Sequence, residues 1–147
     1  MKKAYRIILL FAAIVFALDR FTKFLVLSIF KLNESLPIIN NFFHLTFVTN
    51  TGSAFGLFRN SGLLLAIVAV LILSLAIYYT TKIKEHERWM QISMGLMIGG
   101  ILGNLIDRII HGHVIDFLDF RIWPVFNVAD SAITVSVIIL VTLIWEK

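Results

Sequence analysis

Leu63 to Tyr79 reads LLLAIVAVLILSLAIYY, an apolar run without a single charged side chain. A helix rises about 1.5 Å per residue, so about 20 such residues cross a hydrocarbon core about 30 Å thick. This stretch is therefore predicted to span a membrane as residues 63–81. Working outward, the same reading gives spans at about residues 5–30, 89–108 and 126–145. The composition agrees: 59% of the 147 residues are apolar and 15% charged, against about 45–50% and about 25% in a soluble domain. Four spans use most of the chain, so residues 1–147 are predicted to form one integral membrane domain with no separate soluble part.

Basic residues set the orientation. Cytoplasmic connections carry an excess of Lys and Arg; Lys2, Lys3, Arg6, Lys82, Lys84, Arg88 and Lys147 share one side if the N-terminus is inside, leaving Lys31, Arg59 and Arg121 outside. Both termini are thus predicted cytoplasmic. The opening Lys2, Lys3 and Arg6 also resemble a secretory signal, with Val15 and Ala17 as cleavage-site residues, but the apolar run resumes after Lys23 and is long enough to span. The net charge of +4 follows from these flanks, and no nucleic-acid partner is expected.

The longer outer connection, about residues 33–60, contains FFHLTFVT at Phe42 to Thr49. Its alternation of apolar groups with His44 and Thr46 predicts a small extracytoplasmic β-sheet. NTGSAFG, Asn50 to Gly56, follows as a turn in which backbone bends sharply or approaches something closely. The predicted class is therefore an all-α membrane protein of four transmembrane helices with a small outer sheet.

Polar groups converge in depth. Asp19 stands 14 residues above Tyr5, Asn104 15 above Trp89, and Asp130 15 above Trp145, which places all three roughly 21–22 Å from the cytoplasmic end. An ionisable group there is costly unless paired or hydrated, and is a functional candidate. Asp19 and Lys23 share a face at i, i+4. Asn104, Asp107 and Arg108 do the same at i, i+3 and i+4, with Asp107 and Arg108 expected to form a helix-end ion pair. Gly95, Gly99 and Gly103, four apart, allow a neighbouring helix to come close. Asn127, Asp130, Ser131 and Thr134 form one polar stripe. In the second outer connection, VIDFLDF, Val114 to Phe120, sets Asp116 and Asp119 among apolar residues; either is near enough in sequence to fold back onto Asp130, and local pattern does not choose between them.

Without cysteine there is no thiol nucleophile or thiolate metal site. No histidine lies in a span, His111 and His113 are read as solvated, and no metal or other cofactor is expected. Paired carboxylates remain. Two of them in a low-dielectric site do not both ionise comfortably, so one keeps a proton while the other accepts one from water, which suffices for amide hydrolysis. A channel subunit using Asp19, Asp107 and Asp130 is the rival, but a conducting path needs polar groups through the whole thickness, and the second span offers only Ser74 before its tyrosines.

The chain also resembles the lipoprotein signal peptidases, bacterial membrane aspartyl peptidases. The resemblance runs nearly end to end and rests on Asp19 with Lys23, NTGSAFG at Asn50 to Gly56, GNLIDR at Gly103 to Arg108, VIDF at Val114 to Phe117 and FNVADSA at Phe126 to Ala132. It implies a catalytic pair of Asp116 and Asp130, against Asp119, with supporting roles for Asp19, Lys23, Asn50, Gly52, Asn104, Arg108 and Asn127. It implies a substrate already carrying diacylglycerol on the cysteine that becomes the new N-terminus, cleaved just before that cysteine. The expected setting is a monomer in the bacterial plasma membrane, with its site near the extracytoplasmic face. Two features depart from the family: VIDF has isoleucine where valine is often seen, and the connection from Phe117 to Ala129 is short.

Overall fold

The computed structural model describes residues 3–52 and 61–145. Lys2, Arg59 and Lys147, used above for orientation, and Ser53 to Gly56 of the expected turn lie outside the described residues. The elements in order are α1 (Lys3–Ile29), β1 (Ser35–Ile39), β2 (Phe43–Asn50), α2 (Gly62–Thr80), α3 (Arg88–His111), β3 (Val114–Asp119) and α4 (Val128–Trp145). The molecule is mostly helical with one small three-stranded sheet.

Three helices, α2, α3 and α4, are long and apolar enough to cross a membrane. The apolar run of α1 is longer still but broken by Asp19, Arg20 and Lys23. On α2 only Ala76 and Thr80 are buried and Leu65, Ala66, Ala69 and Leu73 are half-buried on the same face, so a helix with a mean hydropathy of 2.6 turns apolar side chains outward over the rest of its circumference. Such a surface is stable against lipid and not against water.

α3 is the hub, packing against α1, α2 and α4. The glycines of its expected stripe face α1: a Cβ on Gly99 would stand 2.6 Å from the Ala12 carbonyl oxygen and 2.9 Å from Val15 Cβ. Gly95 meets Ile8 and Phe11 in the same way, and a Cβ on Gly103 would lie 2.5 Å from the Asp19 carboxylate. These contacts climb both chains together, so α1 and α3 run in the same direction. α4 runs opposite to α3, since Gly100 meets Ala129 while Ser93 bonds Ser136. α2 is also opposed, with Gly62 against Gly112 and Ala76 packed near Met94. Gly112 ends α3 in a left-handed conformation, φ 75°, and its N–H donates to the Arg108 carbonyl, a common way to satisfy a last-turn acceptor.

The sheet lies at the end where α1 and α3 finish, in the order β1-β2-β3 with both pairings antiparallel. The expected strand at Phe42 to Thr49 is β2. The third strand is new: VIDFLDF, read as a connection, forms β3. Its residues Val114 to Phe117 and Asp119 are buried, so both faces are covered and the polar–apolar alternation that marks a one-sided strand is missing. Pairing shifts register between Leu45 and Val48, a bulge that lets Thr46 and Phe47 together oppose one residue of β3. Ile115 and Phe117 pack with Phe47 and with Val26 of α1, which joins the sheet to the helices. α4 starts at Val128, later than the expected 126, because Phe126 bridges Leu118 and Asn127 caps the helix.

Replacing Gly99 by alanine should destabilise the protein by about 1–3 kcal/mol, since backbone must move apart at the α1–α3 contact. Leu10→Ala, on a side chain that is 56% exposed, should change stability by less than about 0.5 kcal/mol. Detergent-induced unfolding in micelles, followed by circular dichroism, measures both.

Candidate active site

The first turn of α4 has backbone N–H groups with no helical acceptor, and carboxylates and an amide supply them. The Asn127 side-chain oxygen accepts the Asp130 N–H at 2.9 Å, and the Asn127 N–H donates back to Asp130 Oδ2 at 3.3 Å. This is the reciprocal capping pattern three residues apart. The Ala129 N–H donates to Asp19 Oδ1 of α1 at 3.1 Å. Two carboxylates thus stand at the positive end of the α4 dipole, where negative charge is favoured.

β3 is tied to the helices through Ile115. Its N–H donates to Asp107 Oδ2 of α3 at 3.3 Å, and its carbonyl accepts from Asn127 Nδ2 at 3.3 Å. Alternation then turns Asp116 to the opposite face from Ile115 and Phe117. There Asp116 Oδ1 accepts from Asn127 Nδ2 at 2.6 Å and Oδ2 from Asn50 Nδ2 at 2.9 Å. The Asn50 amide is itself held, its oxygen accepting the Gly52 N–H at 3.0 Å.

Asn104 stands between these groups and a buried ion cluster. Its Nδ2 donates to Asp130 Oδ1 at 2.7 Å, while its oxygen accepts from Asn127 Nδ2 and from Lys23 Nζ, each at 3.0 Å. Lys23 is fully buried, and its ammonium also meets Asp19 Oδ2 at 2.9 Å and Asp107 Oδ2 at 2.7 Å. The ammonium thus donates to one amide oxygen and is neutralised by two carboxylates. Asp107 Oδ1 accepts from Arg20 Nη2, giving two acids and two bases. The expected pairing of Asp107 with Arg108 is replaced by this cluster, because consecutive helix residues point in different directions. Arg108 instead faces the cleft, its Nη1 3.4 Å from the Asn104 carbonyl and its charge felt at Asp130, Asp116 and Asp107.

A cleft of about 1610 Å³ opens over this arrangement. Asn50, Gly52, Asn104, Arg108, Asp116 and Asp130 line it, with apolar walls that include Phe120, Trp123, Ile133 and Val135. Asn127, Lys23 and Asp19 stand behind, holding the groups that line it. All nine candidate residues from the sequence therefore fall in one connected network, on the cleft or immediately behind it. Arg20 was missed; its only sequence signal is a second base beside Asp19 in an apolar helix. His111 and His113 lie at the end of α3 with rings 5.8 Å apart and do not line the cleft.

Asp119 is separated from Asp116 by both geometry and charge. Its Oδ2 accepts from the Thr46 hydroxyl at 2.8 Å and Arg121 Nη1 at 3.0 Å, and its Oδ1 accepts the Arg121 N–H at 2.8 Å. Burial pushes its pKa up, but the Thr46 and Arg121 bonds outweigh that and leave it below the ordinary carboxylate value. Asp116 goes the other way. Burial, then the charge of Asp130, raise it from 3.8 to about 7 against the bonds from Asn50 and Asn127. The shift moves its titration toward neutral pH, the range in which acid–base chemistry operates.

The signal peptidase (SPase) II family model matches residues 11–146. A lipoprotein signal peptidase of Halothermothrix orenii is 45% identical over 134 residues, 91% of this chain and 92% of its own. That of Moorella thermoacetica is 48% identical over 132 residues, covering 90% and 88%. That of Syntrophus aciditrophicus is 43% identical and covers 100% and 97%. A bacterial membrane enzyme solved by the in meso method at 2.3 Å superposes with a TM-score of 0.89 at 31% identity, over 95% of this chain and 87% of that one. A second, at 1.9 Å, gives 0.85 at 32% identity over 93% and 91%.

The raised Asp116 has a signed consequence. Between 3.8 and about 7 the folded protein holds a proton that the unfolded chain has released, so this group's stabilisation is full below 3.8 and is lost as pH rises to about 7. The stability difference between the protein and Asp116→Asn should therefore change across that window and level off above it. Unfolding titrations at a series of pH values check this.

Proposed function

The chain belongs to the signal peptidase II family, the lipoprotein signal peptidases, and from that premise we propose that it is a membrane aspartyl endopeptidase removing signal peptides from diacylglyceryl-modified prolipoproteins. The observation that carries the proposal is the Asp116–Asn127–Asp130 arrangement: one amide side chain bonds Asp116 and caps the helix that bears Asp130. Both carboxyls line one cleft with Arg108 beside them.

In this scheme Asp116 carries the one proton of the pair, and Asp130 is the base. Water loses a proton to Asp130 as its oxygen attacks the carbonyl carbon before the lipidated cysteine, and Asp116 protonates the carbonyl oxygen. The tetrahedral diol then collapses: Asp130 gives its proton to the amide nitrogen, the C–N bond breaks, and Asp116 recovers a proton from a diol hydroxyl. The signal peptide leaves with a new carboxyl group, and the lipidated cysteine becomes an N-terminus. Asn50, Gly52, Asn104 and Asn127 orient the carboxyls, Asp19 and Lys23 brace them from behind, and Arg108 offsets the negative charge near Asp116 and Asp130. No step draws on a metal or cofactor.

All four helices span the bacterial plasma membrane in this proposal. The charged residues of α1 support that, since Asp19 and Lys23 turn inward against α3 while Leu9, Leu10, Leu18 and Phe21 remain exposed. Alternating helix directions place the ends of the apolar spans near Lys82, Lys84 and Arg88 together, which fits a cytoplasmic face with both termini on it. The sheet and cleft then face outward, where water enters from above and an apolar precursor from the side.

Asp116→Asn and Asp130→Asn are each expected to slow cleavage of a lipidated precursor by roughly 10²-fold or more, with folding retained by circular dichroism. Asp119→Asn should stay within a few-fold of the unsubstituted protein. Purified protein incubated with lipidated and unlipidated precursors, resolved by gel, measures this; full activity in either of the first two variants would sink the proposed pair.

A further inference from the structure

Serine and threonine hydroxyls inside helices have a ready partner in the carbonyl three or four residues back. Thr22, Ser28, Ser74, Thr80, Ser131 and Thr142 all use it. Ser93 and Ser136 bond each other across α3 and α4 instead. Among the described helical hydroxyls Thr134 departs from this pattern, for it makes no hydrogen bond within the described residues. It is exposed, and it lines the cleft between apolar Ile133 and Val135.

Its position gives that hydroxyl a purpose. Thr134 is four residues after Asp130, so it lies on the same face about 6 Å further along α4. α4 runs away from the sheet, which puts Thr134 one turn inward from Asp130 on the apolar side of the cleft. A hydroxyl without a partner is unfavourable in such a medium, and what enters the cleft can supply one.

We propose that the Thr134 hydroxyl is a substrate-binding group that donates to a carbonyl oxygen of the precursor one helical turn inward from the scissile amide. The inference rests on the peptidase reading above. Two kinds of carbonyl arrive at that depth. The last backbone carbonyls of the signal helix have no donor of their own, and the ester carbonyls of the diacylglyceryl group present the same acceptor. Either way the contact sets how far the precursor slides along α4 before its amide meets the carboxyls.

Thr134→Val keeps the shape and removes the donor; Thr134→Ser keeps the donor. KM and kcat are measured on a precursor carrying an ester-linked diacylglyceryl group and on its ether-linked dialkylglyceryl counterpart, which lacks those carbonyls. Thr134→Val should raise KM roughly tenfold on the ester substrate, the scale of one neutral hydrogen bond, with a smaller change in kcat and with recovery in Thr134→Ser. A penalty that vanishes on the ether substrate assigns the partner to the lipid esters, and one that persists assigns it to the peptide backbone. An unchanged KM in Thr134→Val, or a loss that serine does not restore, overturns the proposal. Precursor binding to Asp116→Asn, read as Kd with and without Thr134→Val, measures the same contact without turnover, so its failure is distinguishable from failure of the cleavage reading.

Discussion

A single buried ammonium organises the upper half of this molecule. Lys23 reaches Asp19 on its own helix and Asp107 and Asn104 on α3, and none of its side chain is exposed. Burying charge is costly, and removing one member of a buried ion pair leaves the other uncompensated at about 3–5 kcal/mol. Each partner is therefore held to the others, and each carries a second task. Asp19 accepts the Ala129 N–H of α4, Asp107 accepts the Ile115 N–H of β3, and Asn104 donates to Asp130. Three helices and a strand are joined through that ammonium and its three partners.

The glycines of α3 make this meeting possible. The ion cluster needs α1 and α3 close enough for Lys23 to touch both Asp107 and Asn104, and the small-residue face of Gly95, Gly99 and Gly103 removes the side chains that would hold the helices apart. At Gly103 the space a Cβ would take is filled by the Asp19 carboxylate, so packing and electrostatics coincide at one position. Beyond the cluster the network passes through amides only. Asn104, Asn127 and Asn50 each have their oxygen engaged by a donor, which leaves their N–H groups to face the carboxyls. Amides oriented in this way place Asp116 and Asp130 without adding charge beside them.

Much of this was legible in the amino-acid chain. Period and composition are local properties, so Leu63 to Tyr79 declares a membrane helix by itself, and Phe42 to Thr49 declares a strand. Conversion of position into depth correctly grouped Asp19, Asn104 and Asp130, because a helix has one fixed rise per residue. The same logic failed for β3. A strand covered on both faces loses its alternation, and Val114 to Asp119 looked like a connection holding two acids.

Sequence by itself determined which helices form, where their polar stripes lie and which glycines allow close approach, since all three depend on residues within a few turns of one another. It did not separate Asp116 from Asp119 by pattern; motif resemblance did that. Only the tertiary structure decided what each acid meets. Asp107 pairs with Lys23 and Arg20 from a helix 84 and 87 residues earlier in the chain, and not with the adjacent Arg108. Asp119 is occupied by Thr46 and Arg121, and Asp116 lies buried against Asn127 on the far face of the same strand. The physical reason is that a carboxyl's charge, proton and partners are set by whatever lies within a few ångströms, and in a folded chain those neighbours come from distant segments.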